Sequence, residues 1–160
     1  MRIEQKLTVA APPAMVWEHI IEPSNYVEFM DGVTRWDVEG EKRTGLGARY
    51  RMLMRVGSAE VGGLIEIVEF HPNRDLAWSS VTGIDQRGRW RLRDQGDGRT
   101  RVTFRFAYGV GGAGISGVIA ERVAARPLRQ RFRHSLLEVK RAVEHRRFQS
   151  EVGKGSRAPL

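Results

Sequence analysis

The chain has 160 residues, 41% of them hydrophobic, and a net charge of +8, which suits a single globular domain with a substantial core. It contains no cysteine, so disulfides, thiol catalysis and cysteine-ligated metal sites are excluded. No apolar run approaches the roughly 18 residues of a membrane span, and the N-terminus lacks the pattern of a signal peptide. We therefore expect a cytoplasmic protein without a transmembrane segment.

The first 30 residues predict one strand and two short helices. Alternating hydrophobicity over RIEQKLTVAA, residues 2–11, predicts the strand. Pro12 and Pro13 then suit a helix start, because the N–H groups that proline lacks are not needed there. Pro23 ends this helix, and a second short helix is predicted to run to about Met30.

From residue 33 onward the hydrophobic period is two, which predicts six more strands. Their segments are TRWDVEG, GARYRMLMRVG, EVGGLIEIVEF, DLAWSSV, RGRWRLRD and TRVTFRFAY. The turn-like segments between them are short, so neighbouring strands are expected to pair antiparallel as a meander.

A long helix is predicted over residues 116–148, after the glycine-rich run GVGGAG. Its apolar stripe consists of Leu128, Phe132, Leu136, Val139 and Val143. Pro127 lies inside this helix and is expected to kink it or to break off its first turn. Residues 149–160 lack periodicity and are predicted to form a flexible tail, which leaves residues 1–148 as the domain.

Together these elements predict an α+β fold in which a curved, seven-stranded antiparallel sheet wraps around the long C-terminal helix. The element order, the segment APPAMVWEHIIEPSNYVEFM and the strand ending HPNRDLAWSS resemble the START-like, helix-grip superfamily (SRPBCC). The likeness extends from residue 2 to about 146 and is strongest to the polyketide cyclase/dehydrase and lipid-transport group. One departure is Phe29, where many relatives have a tryptophan.

The resemblance implies a cavity between the sheet and the C-terminal helix that binds apolar molecules. Aromatic walls, adaptable methionines and a few hydroxyl groups suit such a cavity. The candidate lining residues are Trp36, Tyr50, Met52, Met54, Trp78, Trp90, Phe104, Phe106, Tyr108 and Phe132. The alternative for each of them is that it simply packs in the core.

Alternate turns of a meander lie at the same end of its sheet, which groups the turns near 57–60 and 82–86 with the loop at 109–117. The resemblance implies that these loops surround the cavity entrance. Glycine permits unusual backbone angles and movement in such loops. The glycines predicted at the entrance are Gly57, Gly83, Gly111 and Gly112.

The run GVGGAG, residues 109–114, also matches the G-x-G-x-x-G pattern of dinucleotide-binding loops. That motif needs a following strand and an acidic residue about 20 positions later. Here the helix is the last predicted element, and residues 127–137 contain no acid. We therefore interpret the glycines as a joint between the last strand and the helix.

The sequence contains no constellation typical of catalysis. Its four histidines lack metal-ligand spacing and no nucleophile elbow occurs, so neither a metal nor a cofactor is expected. The polar candidates for orienting a ligand or transferring a proton are Tyr50, Tyr108, Glu121 and Arg122. His19 on the first helix is a weaker candidate. The alternative for each tyrosine is a packed ring with a hydrated hydroxyl.

Positive charge is uneven along the chain: residues 1–120 carry 16 Lys and Arg against 15 Asp and Glu, and residues 121–160 carry 11 against 4. On the sheet an arginine stripe is predicted from Arg87, Arg89, Arg91, Arg93, Arg101 and Arg105. Compensation by Glu66, Glu69 or Glu4 is one interpretation, and a surface for an anionic partner is the other. Nucleic acid is not favoured, because interleaved aromatics and nucleic-acid-binding motifs are lacking.

Three functions remain open at this point. The first is binding of a hydrophobic small molecule such as a lipid, isoprenoid or polyketide. The second is a polyketide cyclase or aromatase that acts in the same cavity. The third is an interaction module that uses the basic sheet face. The sequence specifies neither the ligand nor the oligomeric state.

Overall fold

An antiparallel sheet and a long helix account for most of the computed structural model, which describes residues 1–109 and 115–156 and the side chains of 1–109 and 127–156. The strands are β1 (Arg2–Val9), β2 (Val33–Glu39), β3 (Arg49–Val56), β4 (Ala59–His71), β5 (Asp75–Ser80), β6 (Asp85–Gly96) and β7 (Arg99–Gly109). The helices are α1 (Pro13–Ile21), α2 (Tyr26–Phe29) and α3 (Ile115–Gly155), with a 3-10 helix at Pro23–Asn25.

Neighbouring strands all pair antiparallel, in the order β1-β7-β6-β5-β4-β3-β2. Strands β2 to β7 form the predicted meander, and β1 adds to its edge beside β7. This confirms the predicted helix-grip fold, with short helices between the first two strands and one long helix after the last.

The two ends of the sheet carry different turns. The turns at 57–58 and 81–84 lie at the end where β7 finishes, which we call the loop end. The turns at 40–48, 72–74 and 97–98 lie at the opposite end, which we call the anchor end. The grouping of turns predicted from the meander is therefore correct for the described residues.

The apolar stripe of α3 packs against the inner face of the sheet. Its predicted members are all buried: Leu128, Phe132, Leu136, Val139 and Val143. Polar groups of the same helix also hold the end of β1. Lys140 Nζ donates to the Thr8 carbonyl at 3.0 Å, and the Ala10 N–H donates to Glu144 Oε1 at 2.8 Å.

The helix α3 extends to Gly155, beyond the predicted end at Phe148. The side chain of Arg147 explains part of this extension. Its Nη1 donates to the Gly98 carbonyl at 2.6 Å, and its Nε donates to Glu151 Oε1 at 3.1 Å. These hydrogen bonds link the last turns to the sheet and to each other, which hydrophobic periodicity does not reveal.

Pro127 lies inside α3 without ending it, so of the two outcomes expected, a kink or a break of the first turn, the break does not occur. A proline in a helix interior costs about 3 kcal/mol. Burial of the apolar stripe, which begins at the next residue, Leu128, offsets a cost of this size.

Gly88 on β6 provides the space in which the ring of Trp78 lies. The two residues are directly opposite each other on the paired strands β6 and β5. A Cβ atom at position 88 would lie 2.0 Å from Cζ2 and 2.2 Å from Cε2 of Trp78. Carbon atoms pack at about 3.5–4.0 Å. The glycine in RGRWRLRD is therefore a packing requirement of this tryptophan.

We expect Gly88→Ala to lower the free energy of unfolding by about 1–3 kcal/mol, because the added methyl overpacks the core and displaces the Trp78 ring. Chemical denaturation followed by tryptophan fluorescence measures the loss. Gly153→Ala is the control, since nothing lies within 4 Å of a Cβ at that position on α3. It should be neutral or stabilising by up to about 1 kcal/mol. Equal stabilities of the two variants would contradict the packing role.

Candidate functional site

The inner face of the sheet carries a continuous cluster of aromatic rings. The ring centroids of Trp90 and Phe104 are 4.4 Å apart, and those of Phe106 and Phe132 are 5.1 Å apart. Among the predicted lining residues Tyr108 is half-buried and the others are buried. The structure thus brings the predicted residues of the strands together on the inner face of the sheet, and Phe132 of α3 contacts them there.

Tyr26 on α2 belongs to the same cluster, although sequence reasoning did not select it. Its ring stacks on Trp36 with the centroids 4.0 Å apart, and its hydroxyl donates to the Ile20 carbonyl at 2.7 Å. Burial raises the pKa of this hydroxyl. Its position in a short helix between two strands is the signal that an inward-facing ring was to be expected there.

The interior is tightly packed near the anchor end. A void of about 10 Å³ lies beside Trp36, Tyr50 and Leu76, which is room for about one water molecule. Tyr50 Oη donates to the Arg43 carbonyl at 2.6 Å, and burial raises the pKa of Tyr50 to about 12. The Tyr50 hydroxyl is therefore neutral and engaged with the backbone at this end of the sheet.

Toward the loop end the lining becomes less rigid. Met52 and Met54 lie on β3, and Phe106 and Tyr108 lie on β7. Gln86 on β6 is opposite Tyr108, and its Nε2 lies 3.5 Å from Met52 Sδ. Flexible thioethers, aromatic rings and one amide therefore share this part of the interior.

Gln86 was missed by sequence reasoning because TGIDQ resembles a turn. The structure starts β6 at Asp85, so Gln86 is its first inward-facing residue. The alternation Gln86, Gly88, Trp90 was the signal that could have found it, since side chains two apart share a sheet face.

Part of the predicted site lies outside the described residues. Gly111 and Gly112 belong to the segment 110–114, and the side chains of Glu121 and Arg122 are also outside the described set. Their roles at the cavity and its entrance stay predictions.

Two of the glycines predicted at the entrance are among the described residues, and they differ in their surroundings. Gly57 and Gly83 both have positive φ, at 61° and 85°. Nothing lies within 4 Å of a Cβ at Gly57, whereas a Cβ at Gly83 would lie 2.0 Å from the Gly62 carbonyl oxygen. The Val81 N–H also donates to the Leu64 carbonyl at 2.7 Å. The β5–β6 turn is therefore packed on β4, while the β3–β4 turn has open space.

Several buried polar atoms of the described residues have no hydrogen-bond partner: His19 Nε2, Trp36 Nε1, Trp78 Nε1, Gln86 Oε1 and Trp90 Nε1. Leaving such an atom unpaired costs about 1–3 kcal/mol, so each requires an explanation. Within residues 1–109 and 127–156 no group of His, Asp and Glu is arranged to hold a metal ion.

His19 is buried on α1, where its ring centroid lies 5.3 Å from that of Phe29. Burial, with a smaller contribution from the charge of Arg146, lowers the pKa of His19 to about 4. The imidazole is therefore neutral near pH 7. Its Nδ1 lies 3.4 Å from Asn25 Nδ2, which places it in the packing of α1 against the segment that follows.

The depressed pKa of His19 predicts that the fold loses stability in mild acid. A histidine in the unfolded chain titrates near pH 6.5, so the unfolded state binds more protons as the pH falls from about 6.5 toward 4. Between pH 7 and pH 5 this amounts to a loss of about 2 kcal/mol. Urea unfolding at both pH values measures it.

His19→Gln should remove most of that loss, because glutamine does not titrate. His145→Gln, at an exposed position on α3, is the control and should keep it. If His19→Gln and the wild-type protein lose the same stability between pH 7 and pH 5, the neutral buried histidine is not the cause.

The arginine stripe on the outer face of the sheet is largely paired with carboxylates. Arg89 forms an ion pair with Glu69, and Arg105 forms one with Glu4. These pairs confirm two of the three acids that were predicted to compensate the stripe. Like charges on neighbouring strands are tolerated here because acids from β4 and β1 lie between or beside them.

Asp75 also compensates positive charge of the arginine stripe, which was not predicted from the sequence. It accepts from Arg91 Nε at 3.0 Å and from Arg93 Nη2 at 3.3 Å. Burial opposes ionisation of Asp75, but these two arginines outweigh it and lower its pKa. Glu66, the third predicted acid, pairs instead with Arg49 at 2.8 Å.

A model of the family described as polyketide cyclase / dehydrase and lipid transport matches residues 1–144. The chain belongs to this family. The resemblance stated from the sequence is thereby confirmed. A search of curated proteins found no match.

In the ranges that the structure describes, no helix is long and apolar enough to cross a bilayer.

Solved structures similar to this family member share its fold at low sequence identity. One is the Zhui aromatase/cyclase from Streptomyces sp. R1128, 19% identical, covering 91% of this chain and 94% of that chain with a TM-score of 0.77. Another is the protein TTHA0849 from Thermus thermophilus, 18% identical, covering 89% and 97% with a TM-score of 0.76. The di-domain ARO/CYC StfQ from the steffimycin biosynthetic pathway is 17% identical, covering 92% and 51% with a TM-score of 0.69.

Proposed function

We propose that this family member binds a hydrophobic small molecule between α3 and the loop-end half of the sheet. The observation that carries the proposal is the inner face around Met52, Met54 and Phe106, which is buried, apolar and lined by adaptable side chains. Burial of apolar ligand surface there contributes about 25 cal/mol per Å² before the costs of ordering. A lipid, an isoprenoid or a polyketide offers such a surface.

Cyclase or aromatase action in the same cavity is the alternative. Its support is that Zhui and StfQ carry the description aromatase/cyclase. Acid–base chemistry needs a titratable group within hydrogen-bond reach of the substrate. Tyr50 is engaged with a backbone carbonyl near the anchor end. Tyr108, Glu121 and Arg122 remain the candidates for this activity, and we favour binding.

Native mass spectrometry tests the proposed binding directly. Protein purified without denaturation should release an apolar molecule, and a panel of fatty acids, isoprenols and polycyclic phenols should contain members that raise its melting temperature. An empty protein that shows no shift with any of the panel would contradict the proposal.

A pair of variants locates the ligand. Met52→Phe adds volume where we place the ligand, so it should weaken binding of an active panel member about ten-fold at little cost in stability. Leu76→Phe adds volume beside the void of about 10 Å³ and should destabilise by about 1–3 kcal/mol. Equal losses of stability would show that the Met52 region is as tightly packed as the anchor end.

A second candidate function is contact with an acidic protein through the outer sheet face near the loop end. Arg87, Ala107 and Arg2 form one row across β6, β7 and β1. They border an open groove of about 530 Å³ that includes Ala77 and Ser79. Among the described residues no carboxylate forms an ion pair with Arg2 or Arg87. Two uncompensated guanidinium groups above small side chains complement an acidic surface.

Binding of labelled poly-L-glutamate, measured by fluorescence anisotropy at low and moderate salt, tests the groove. The double variant Arg2→Gln/Arg87→Gln should bind about five-fold more weakly than wild type at low salt. Arg129→Gln/Arg133→Gln removes the same charge from exposed positions on α3 and is the control. Equal losses in both double variants, or binding that does not respond to salt, would contradict a specific role for the groove.

A further inference from the structure

Gln86 is a fully buried amide in an otherwise apolar part of the interior. It is 1% exposed and is the first inward-facing residue of β6, at the loop end of the sheet. Its backbone N–H donates to Ser80 Oγ at 3.2 Å, which fixes the start of the strand. The side chain therefore projects inward from a defined backbone position.

The amide of Gln86 is poorly satisfied by the protein. Among the described residues, the hydrogen bond of its Nε2 goes to the Met52 sulfur at 3.5 Å, and a thioether is a weak acceptor. No described residue hydrogen-bonds to its Oε1. Exchanging the amide nitrogen and oxygen would not help, because the oxygen would then face the sulfur and the nitrogen would be unpaired. In either orientation a strong hydrogen-bonding group is buried at a cost of about 1–3 kcal/mol.

Three other buried polar groups either have a hydrogen-bond partner or belong to a ring that is held in place by its neighbours. Thr100 and Ser135 are satisfied, by the Ala11 carbonyl at 2.7 Å and the Arg131 carbonyl at 2.8 Å. The unpaired indole nitrogen of Trp36 belongs to a ring held between two tyrosine rings. Gln86 instead lies beside a flexible methionine, where space for a ligand is proposed.

We propose that Gln86 determines ligand specificity: its Oε1 accepts a hydrogen bond from a hydroxyl or N–H group of the bound hydrophobic molecule. This inference rests on the proposed binding function. A ligand that donates restores the missing hydrogen bond, and an isosteric ligand that cannot donate leaves the amide oxygen buried and unpaired. The ligand class is therefore an apolar molecule with a hydrogen-bond donor, for which a phenol serves as the probe.

The test uses two probes that differ in one group, 2-naphthol and 2-methoxynaphthalene. Wild-type protein should bind 2-naphthol about ten-fold more tightly, by tryptophan fluorescence quenching or calorimetry. Gln86→Met keeps the length of the side chain and removes its polar atoms. It should lose that preference, bind 2-methoxynaphthalene as well as wild type does, and melt at the same or a higher temperature.

Thr100→Val is the matched control, because it removes a buried but satisfied polar group near the anchor end. It should lose stability and keep the ten-fold preference. Gln86→Leu serves as a second variant if Gln86→Met does not fold. Equal binding of the two probes by wild type, or an unchanged preference in the Gln86 variants, overturns the assignment of Gln86. Failure of wild type to bind either probe overturns the inferred phenol-like ligand class and the assignment of Gln86, whereas the proposed binding function is overturned only if the whole panel of fatty acids, isoprenols and polycyclic phenols also fails to bind.

Discussion

The contact between α3 and the inner face of the sheet is the constraint on which the other features depend. Neither surface can be buried alone, because the helix has one apolar stripe and the sheet has one aromatic face. Phe132 joins them, with its ring 5.2 Å from Phe104 and 5.1 Å from Phe106. Hydrogen bonds from the helix to β1 and to the β6–β7 turn fix its position along the sheet. The separation of helix and sheet therefore sets the volume available to any ligand.

Within that frame the two ends of the interior have different chemistry. The anchor end is filled by stacked rings, and the hydroxyl groups of Tyr26 and Tyr50 donate to the backbone carbonyls of Ile20 and Arg43. Such packing specifies one arrangement and resists added volume. At the loop end, the unbranched thioether of Met52 lies beside the amide of Gln86, which has no strong hydrogen-bond partner among the described residues. Such side chains rearrange around a bound molecule at a lower energetic cost than stacked rings do. The rigid anchor end thus supports the loop end, where we place the proposed ligand site.

Sequence patterns predicted the features that depend on which side of a strand or helix faces solvent. Alternation gave the strands and their inward residues, and the stripe from Leu128 to Val143 gave the buried face of α3. Features that depend on pairing between distant segments were not predictable. Asp75 compensates Arg91 and Arg93 because β5 lies beside β6, and Arg147 of α3 hydrogen-bonds to Gly98 because the fold brings the helix end to the β6–β7 turn. Gln86 was not predicted because the segment TGIDQ has the composition of a turn, whereas in the structure Gln86 pairs with Tyr108 of β7.

Strand β6 shows how one alternating pattern serves both stability and binding. Its inward residues run from Gln86 through Gly88 and Trp90 to Leu92, from the loop end toward the anchor end. Trp90 and Leu92 are buried in the core. Gly88 has no side chain, and this leaves the space in which the ring of Trp78 packs against the strand. A larger residue at 88 would displace that ring. The amide of Gln86 then lies two residues from the position at which the glycine leaves room for that ring, and its proposed role is to accept a hydrogen bond that distinguishes ligands of similar size.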